Sequence, residues 1–272
     1  TVGWVTSIVQ QAEASQKRIN EFLNTKSSIT SSDENNITID GEIKFKNIEF
    51  TYPETFIKAC KNISFSLKKG DSLAIMGDIG SGKSTILELL CRIYDPSKGE
   101  ILIDNINIKK INIEELRNSI GYVPQSTFLF SETIEKNIKF GKENVNKNEL
   151  ENAAVNACLS EDIKLFKDGY KTLLGERGVN LSGGQKQRLA IARAIIKKPK
   201  ILLLDDSLSA VDTETEEKIL SNINKVSRDM TLVIATHRVS SAKNCNKIII
   251  LQDGKVIEYG SHNSLMKIDG YY

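Results

Sequence analysis

Eight consecutive residues, Gly77-Asp78-Ile79-Gly80-Ser81-Gly82-Lys83-Ser84, have the types and spacing to hold a polyphosphate. Glycines let successive backbone N–H groups turn inward on phosphate oxygens, and a helix starting there adds the partial positive charge of its N-terminus. Lys83 would reach the β- and γ-phosphates, and the Ser84 hydroxyl would ligate Mg²⁺. A second candidate group is acidic. The apolar run Ile201-Leu202-Leu203-Leu204 ends in Asp205-Asp206. Beside a phosphate loop, a buried strand ending in a carboxylate places it next to the metal, which makes Asp205 a metal candidate acting through a bound water. A third group is Leu181-Ser182-Gly183-Gly184-Gln185. Ser182 and Gln185 match a capping box. Two glycines in a first helical turn cost about 1 kcal/mol each against alanine. Their presence implies that something approaches the backbone closely there, a phosphate for instance.

These groups need elements to position them. Ser72–Met76 is a short apolar strand and Thr85–Arg92 has Leu87, Leu90 and Cys91 at helical spacing, so the phosphate loop lies between strand and helix. Upstream, Ile43, Phe45, Ile48 and Phe50 predict a strand with a one-residue slip near Asn47, and Ile63–Leu67 and Gly99–Asp104 read as further strands of a β-rich subdomain. Downstream come a short helix at Glu114–Ser119, a strand at Ile120–Val123, and a helical stretch from Ser131 to Phe166. A long helix follows over Gly183–Lys197, stopped before Pro199. Ile201–Leu204 and Leu232–Ala235 are continuous apolar runs, as strands buried on both faces require. Thr213–Val226 is an amphipathic helix, Lys247–Leu251 and Lys255–Tyr259 a hairpin around Asp253-Gly254, and Ser261–Lys267 a closing helix. Strands alternating with helices imply an α/β fold with a mainly parallel sheet.

The bulk numbers exclude some classes. The chain has 37 basic and 35 acidic residues, a net charge of +2 that gives no reason to expect nucleic acid as a partner. Its four cysteines, Cys60, Cys91, Cys158 and Cys245, lack metal-binding spacing and read as buried free thiols in a reducing compartment. No run approaches the length of a membrane span, and no signal peptide is read at the N-terminus. Residues 1–23 carry Trp4, Ile8, Ala12, Ile19, Phe22 and Leu23 at helical steps, and residues 24–40 are polar and aperiodic, a linker.

Taken together, the motifs resemble the nucleotide-binding domain of an ATP-binding cassette (ABC) transporter, over about residues 42–272. Leu-Ser-Gly-Gly-Gln at 181–185 is the most specific of them. The resemblance implies a P-loop NTPase fold with an N-terminal antiparallel β subdomain and an α-helical subdomain at about 125–197. It implies ATP and Mg²⁺ as cofactors, and further site residues: Tyr52 resembles the aromatic that stacks on adenine, and Gln125 the loop glutamine that touches Mg²⁺ and senses the transmembrane partner. His237 resembles the switch histidine near the γ-phosphate, and Ser209-Ala210-Val211-Asp212 the loop that crosses the dimer interface. Catalysis is expected of Asp206, His237, Gln125 and Lys83, and metal binding of Ser84, Gln125 and Asp205. Two such domains are expected to meet head to tail, so that Ser182, Gly184 and Gln185 act on the partner's nucleotide.

Two stretches resemble exporters in particular. Gly175-Glu176-Arg177-Gly178 is similar to the loop that contacts coupling helices, and Arg18–Leu23 to the cytosolic extension of a last transmembrane helix. The chain is then expected to begin inside a transmembrane subunit of the same or a companion chain, and to work at the cytoplasmic face of a membrane. One position departs. Exporters carry Glu after the metal carboxylate, and this chain has Asp206. Asp is one methylene shorter, which sets its carboxylate back by roughly 1 Å and can cost about 10²-fold in rate. The chain thereby resembles the weaker half of a heterodimeric exporter. Two other readings stand beside energy-coupling ATPase: a half-site that binds ATP with little hydrolysis, and a soluble ABC ATPase.

Overall fold

The computed structural model describes residues 2–31, 37–142, 144–226 and 229–272. Part of the expected linker, residues 32–36, lies outside them. The chain divides into two units, Thr1–Thr30 and Ser31–Tyr272. The first is the helix α1 (Val2–Asn24), whose large apolar side chains Trp4, Ile8, Ile19, Phe22 and Leu23 are exposed. Among the described residues no helix is long and apolar enough to cross a membrane.

The second unit contains two sheets. β1 (Ile43–Thr51), β2 (Lys58–Leu67), β4 (Lys98–Ile103) and β5 (Ile106–Asn107) form an antiparallel sheet in the order β2-β1-β4-β5. The slip expected near Asn47 is a real irregularity. The pairing of β1 with β2 shifts between Phe45 and Ile48, and Asn47 sits at φ 49°. Asparagine tolerates that left-handed conformation better than most residues. The second sheet has six strands: β3 (Ser72–Gly77), β6 (Ile120–Val123), β7 (Ile201–Asp205), β8 (Thr231–Ala235), β9 (Lys247–Gln252) and β10 (Lys255–Gly260). Their order is β10-β9-β3-β8-β7-β6, parallel throughout except for the β9–β10 hairpin.

Every residue of β3, β7 and β8 is buried. Because side chains alternate across a strand, these strands feed two cores. Ala74, Met76, Leu202, Leu204, Leu232 and Ile234 face one core, and Leu73, Ile75, Ile201, Leu203, Val233 and Ala235 the other. The second core is shared with the antiparallel sheet, with α2 (Lys83–Leu90) and with α3 (Ile113–Ser119).

The first core is covered by α4 (Ile134–Lys139), α5 (Lys147–Asn156), α6 (Ser160–Leu165), α7 (Gly183–Ile195) and α8 (Thr213–Val226). The helical stretch expected from Ser131 to Phe166 is therefore three short helices. Asn146 starts α5 with a capping box to Glu149, and Cys158 turns the chain at φ 53° before α6. Asn137, fully buried, ties α4 to α7. Its side chain bonds the carbonyls of Phe130, Glu132 and Thr133, and Arg193 donates to its carboxamide and backbone oxygens. The short helices α9 (Val239–Ala242) and α10 (His262–Leu265) complete the chain. Cys60, Cys91 and Cys245 are buried free thiols, and burial raises each pKa to about 12.

Candidate functional site

The site lies where β3, β7 and β8 end side by side, at the carboxyl edge of parallel strands where α/β folds place ligands. Register fixes the arrangement. Ile75 pairs with Ala235 and Ala235 with Asp205, so Gly77, Asp205 and the residues after Ala235 emerge together. Thr236 and Asp206 extend this ladder, donating N–H to Ile75 and Ala235 carbonyls at 3.0 and 2.8 Å.

The loop 77–84 closes around its own lysine. Lys83 is 8% exposed, and its ammonium donates to the carbonyls of Gly77 and Asp78, both at 2.8 Å. An ammonium has three donors, so one remains for a ligand. Burial pushes the Lys83 pKa down, while the charges of Asp206, Asp205 and Asp78 oppose the shift. Gly82 caps α2 at φ 103°, where a side chain would be strained and its Cβ would meet the Ala59 carbonyl at 2.5 Å. No side chain caps this helix, so its first N–H groups are left to a ligand or water.

Beside the loop, Ser84 donates to Asp205 Oδ1 at 3.0 Å, and the Tyr122 hydroxyl to Oδ2 at 3.4 Å. Burial pushes the Asp205 pKa up, against the hydrogen bonds from Ser84 and Tyr122. The residues fit a magnesium nucleotide on three counts. Ser81 Oγ is buried without a protein partner, a hydroxyl aimed into the loop. Lys83 is a buried cation. Ser84 and Asp205 supply two hard oxygens at one point, the set Mg²⁺ uses when phosphates complete its shell. Among the described residues, no cluster of three or more His, Cys, Asp or Glu forms a cage of its own.

The other expected residues fall into three groups. Asp206 is half-buried at φ 44°, and His237 and Gln125 are exposed at the same sheet edge, after β8 and β6. Tyr52 is half-buried. Its ring packs edge-on against Phe50 and Tyr94, and its hydroxyl bonds Thr85 Oγ1 and Glu88 Oε2, each at 2.9 Å. Burial raises its pKa to about 12, so the hydroxyl stays protonated.

Ser182, Gly184 and Gln185 stand apart from the phosphate loop, with no hydrogen bond to it among the described residues. They open α7 with a full capping box. Gln185 Nε2 also donates to Asp162 Oδ1 at 2.8 Å, and Arg188 pairs with the other oxygen of that carboxylate. The close approach expected at the glycines has a source inside the chain: a Cβ at Gly184 would lie 2.9 Å from the Ala210 carbonyl. The 209–212 turn, folded against α7, makes that approach. Gln187 holds that contact, accepting from Ala210 N at 2.9 Å and donating to Ser209 Oγ at 3.1 Å.

Tyr122, Gln187, Asp162, Glu216 and Arg238 were not anticipated. Glu216 had a signal. It shares a helical stripe with Ile219, Leu220 and Ile223 and is fully buried, an acidic residue where an apolar one belongs.

Comparison with known proteins points to one family. The family model described as ABC transporter matches residues 60–209. An ABC transporter ATP-binding protein of Bacillus subtilis (strain 168), YfiB, is 45% identical over 97% of the chain and 46% of its own length. YheI of the same organism, a probable multidrug resistance ABC transporter ATP-binding/permease protein, is 39% identical over 100% of the chain and 46% of its own length. The solved structure of a bacterial Atm1-family ABC exporter with ATP bound superposes with a TM-score of 0.91 at 36% identity, over 99% of the chain and 47% of that protein. The chain thus spans about half the length of the relatives it matches.

Proposed function

The chain belongs to the ABC transporter family, as its ATP-binding domain, and on that premise we propose that it powers export across a membrane by closing head to tail on a second such domain around Mg²⁺-ATP. The observation that carries the reading is the Ser84–Asp205 hydrogen bond beside a buried Lys83, at the mouth of a helix with no side-chain cap. Gly77, Asp78, Gly80, Ser81 and Gly82 present backbone and hydroxyl groups to the phosphates. Thr85 continues that surface on α2, and Tyr52 takes the base. Lys83 neutralises charge on the β- and γ-phosphates. When bound, Mg²⁺ would supply further neutralisation, with Ser84 and Gln125 holding it and Asp205 acting through a bound water. Asp206 orients the water for in-line attack on the γ-phosphorus, with His237 facing the same group. Ser182, Gly184 and Gln185 serve the partner domain's nucleotide.

The companion membrane domain meets the surface formed by Gly175–Gly178 and the loop around Gln125. Gly178 packs against Leu129 of that loop, where a Cβ would lie 2.7 Å from the leucine side chain. Residues 1–23 continue the last membrane helix, which sets the domain at the cytoplasmic face.

Asp206 favours a second reading, a half-site that holds ATP longer than it cleaves it. Its left-handed backbone suits Asp better than Glu. The test is Asp206→Glu, with ATP turnover, ATP affinity and melting temperature measured together. Turnover should rise, by up to about 10²-fold if the carboxylate position is limiting. No rise, with binding and folding intact, would sink the idea that Asp206 limits the chemistry.

A further inference from the structure

We infer that Arg238 is a positioning residue that fastens the 209–212 turn to the segment carrying His237, and through that turn sets Asp206. The guanidinium donates to the Val211 carbonyl at 2.8 Å, the Ser209 carbonyl at 2.6 Å and Glu216 Oε2 at 2.9 Å. Two carbonyls of one turn and a carboxylate on the next helix thus share one rigid fork. A lysine ammonium lacks the planar span to meet all three in fixed directions.

Glu216 explains why the arginine holds still. It is fully buried, and a buried carboxylate is costly unless its partners are in place. Here it also accepts from Ser240 Oγ at 3.3 Å and from Ser241 Oγ. Arg238, Ser240 and Ser241 all lie just after His237, so the carboxylate gathers the whole segment. The Arg238 N–H is itself held, by Thr236 Oγ1 at 3.0 Å.

The turn on the other side of the fork begins at Asp206. Ser209 donates its hydroxyl and N–H to the Asp206 carbonyl, at 2.8 and 3.3 Å. Ala210 N–H is fixed by Gln187. Asp206 and His237 follow the paired strands β7 and β8, which the Asp206 N–H joins at the Ala235 carbonyl; past that bond the two loops leave the sheet ladder. The Arg238–Glu216 pair ties the loops together a second time, beyond the edge of the sheet.

The catalytic consequence rests on the roles proposed above for Asp206 and His237, whereas the mechanical claim does not. The test uses the 272-residue chain and three variants: R238M, R238K and E216Q/R238M. The double variant leaves no buried charge unpaired, which keeps the comparison open if R238M folds poorly. Amide exchange at Ala210 reads the turn directly. In the double variant it should run about tenfold or more faster, while exchange in the central strands is unchanged. ATP turnover should fall by about tenfold or more with KM within about twofold, the split expected when an orienting contact and not binding is lost. R238K should recover part of the turnover. Unchanged Ala210 exchange and turnover in a folded double variant would overturn the inference. So would faster exchange throughout the sheet, with kcat and melting temperature falling and KM rising together. A parent chain that binds ATP without turnover would fault the hydrolysis reading, and Ala210 exchange would still decide the clasp.

Discussion

The glycine-marked starts of α2 and α7 are built in opposite ways. At α2 the capping position is Gly82, no side chain satisfies the first N–H groups, and the nearby cation is buried. At α7 the cap is complete. Ser182 and Gln185 satisfy each other's backbone, and Gln185 is further held by Asp162. An uncapped helix end leaves donors for an anion, whereas a capped one has already spent some of its own. The first is a site waiting for its ligand within the chain. The second is closed by its own side chains, and on the reading proposed above it serves a partner domain's nucleotide.

The largest effect expected from this contrast is at Lys83. Lys83→Met should weaken ATP binding by about 10²-fold or more, since charged hydrogen bonds to phosphate are lost from a buried position. It should do so with little loss of melting temperature. The folded-state pKa of Lys83 is depressed by burial, so at neutral pH its protonation already works against folding, and removing the charge relieves that cost. Titration with ATP alongside thermal melting checks both halves. A smaller effect is expected at Ser182. Ser182→Ala should cost about 1 kcal/mol of stability through the lost cap, leave ATP affinity of the single chain unchanged, and lower turnover only where two domains pair. If it weakens ATP binding as Lys83→Met does, the contrast between the two ends is wrong. The smallest effect is expected at Asp162. Asp162→Ala frees Gln185 and Arg188 from a partly exposed carboxylate, and should cost no more than about 1 kcal/mol in melting experiments. Turnover of the paired domains should slip only a few-fold, as the capping box still orients Gln185.

Much of this was legible in the residues. Ile201–Leu204 and Leu232–Ala235 announce themselves as doubly buried strands because no polar residue interrupts them, and the phosphate loop is bracketed by a strand and a helix of opposite period. Asn47 marked a slip because the apolar alternation changes phase across it. The three helices between Ser131 and Phe166 ran together because each keeps the same period. The breaks come from a capping asparagine and a left-handed Cys158, which a count of apolar positions does not register. The clasp around Glu216 was hidden for a related reason. Patterns of apolar residues locate a core and are blind to buried polar groups whose partners lie on other elements. Gly184 was legible as a close approach, and only the fold could say that Ala210 is what approaches.

The sharing of β3, β7 and β8 between two cores has a consequence for cooperativity. Even-numbered residues of these strands belong to the layer with α5, α7 and α8, and odd-numbered residues to the layer with α2 and the antiparallel sheet. Neither layer can melt alone without baring one side of every strand that carries the site. The helical layer and the nucleotide layer should therefore unfold in a single step. A cavity cut under α7 would then loosen the grip on phosphate without touching it.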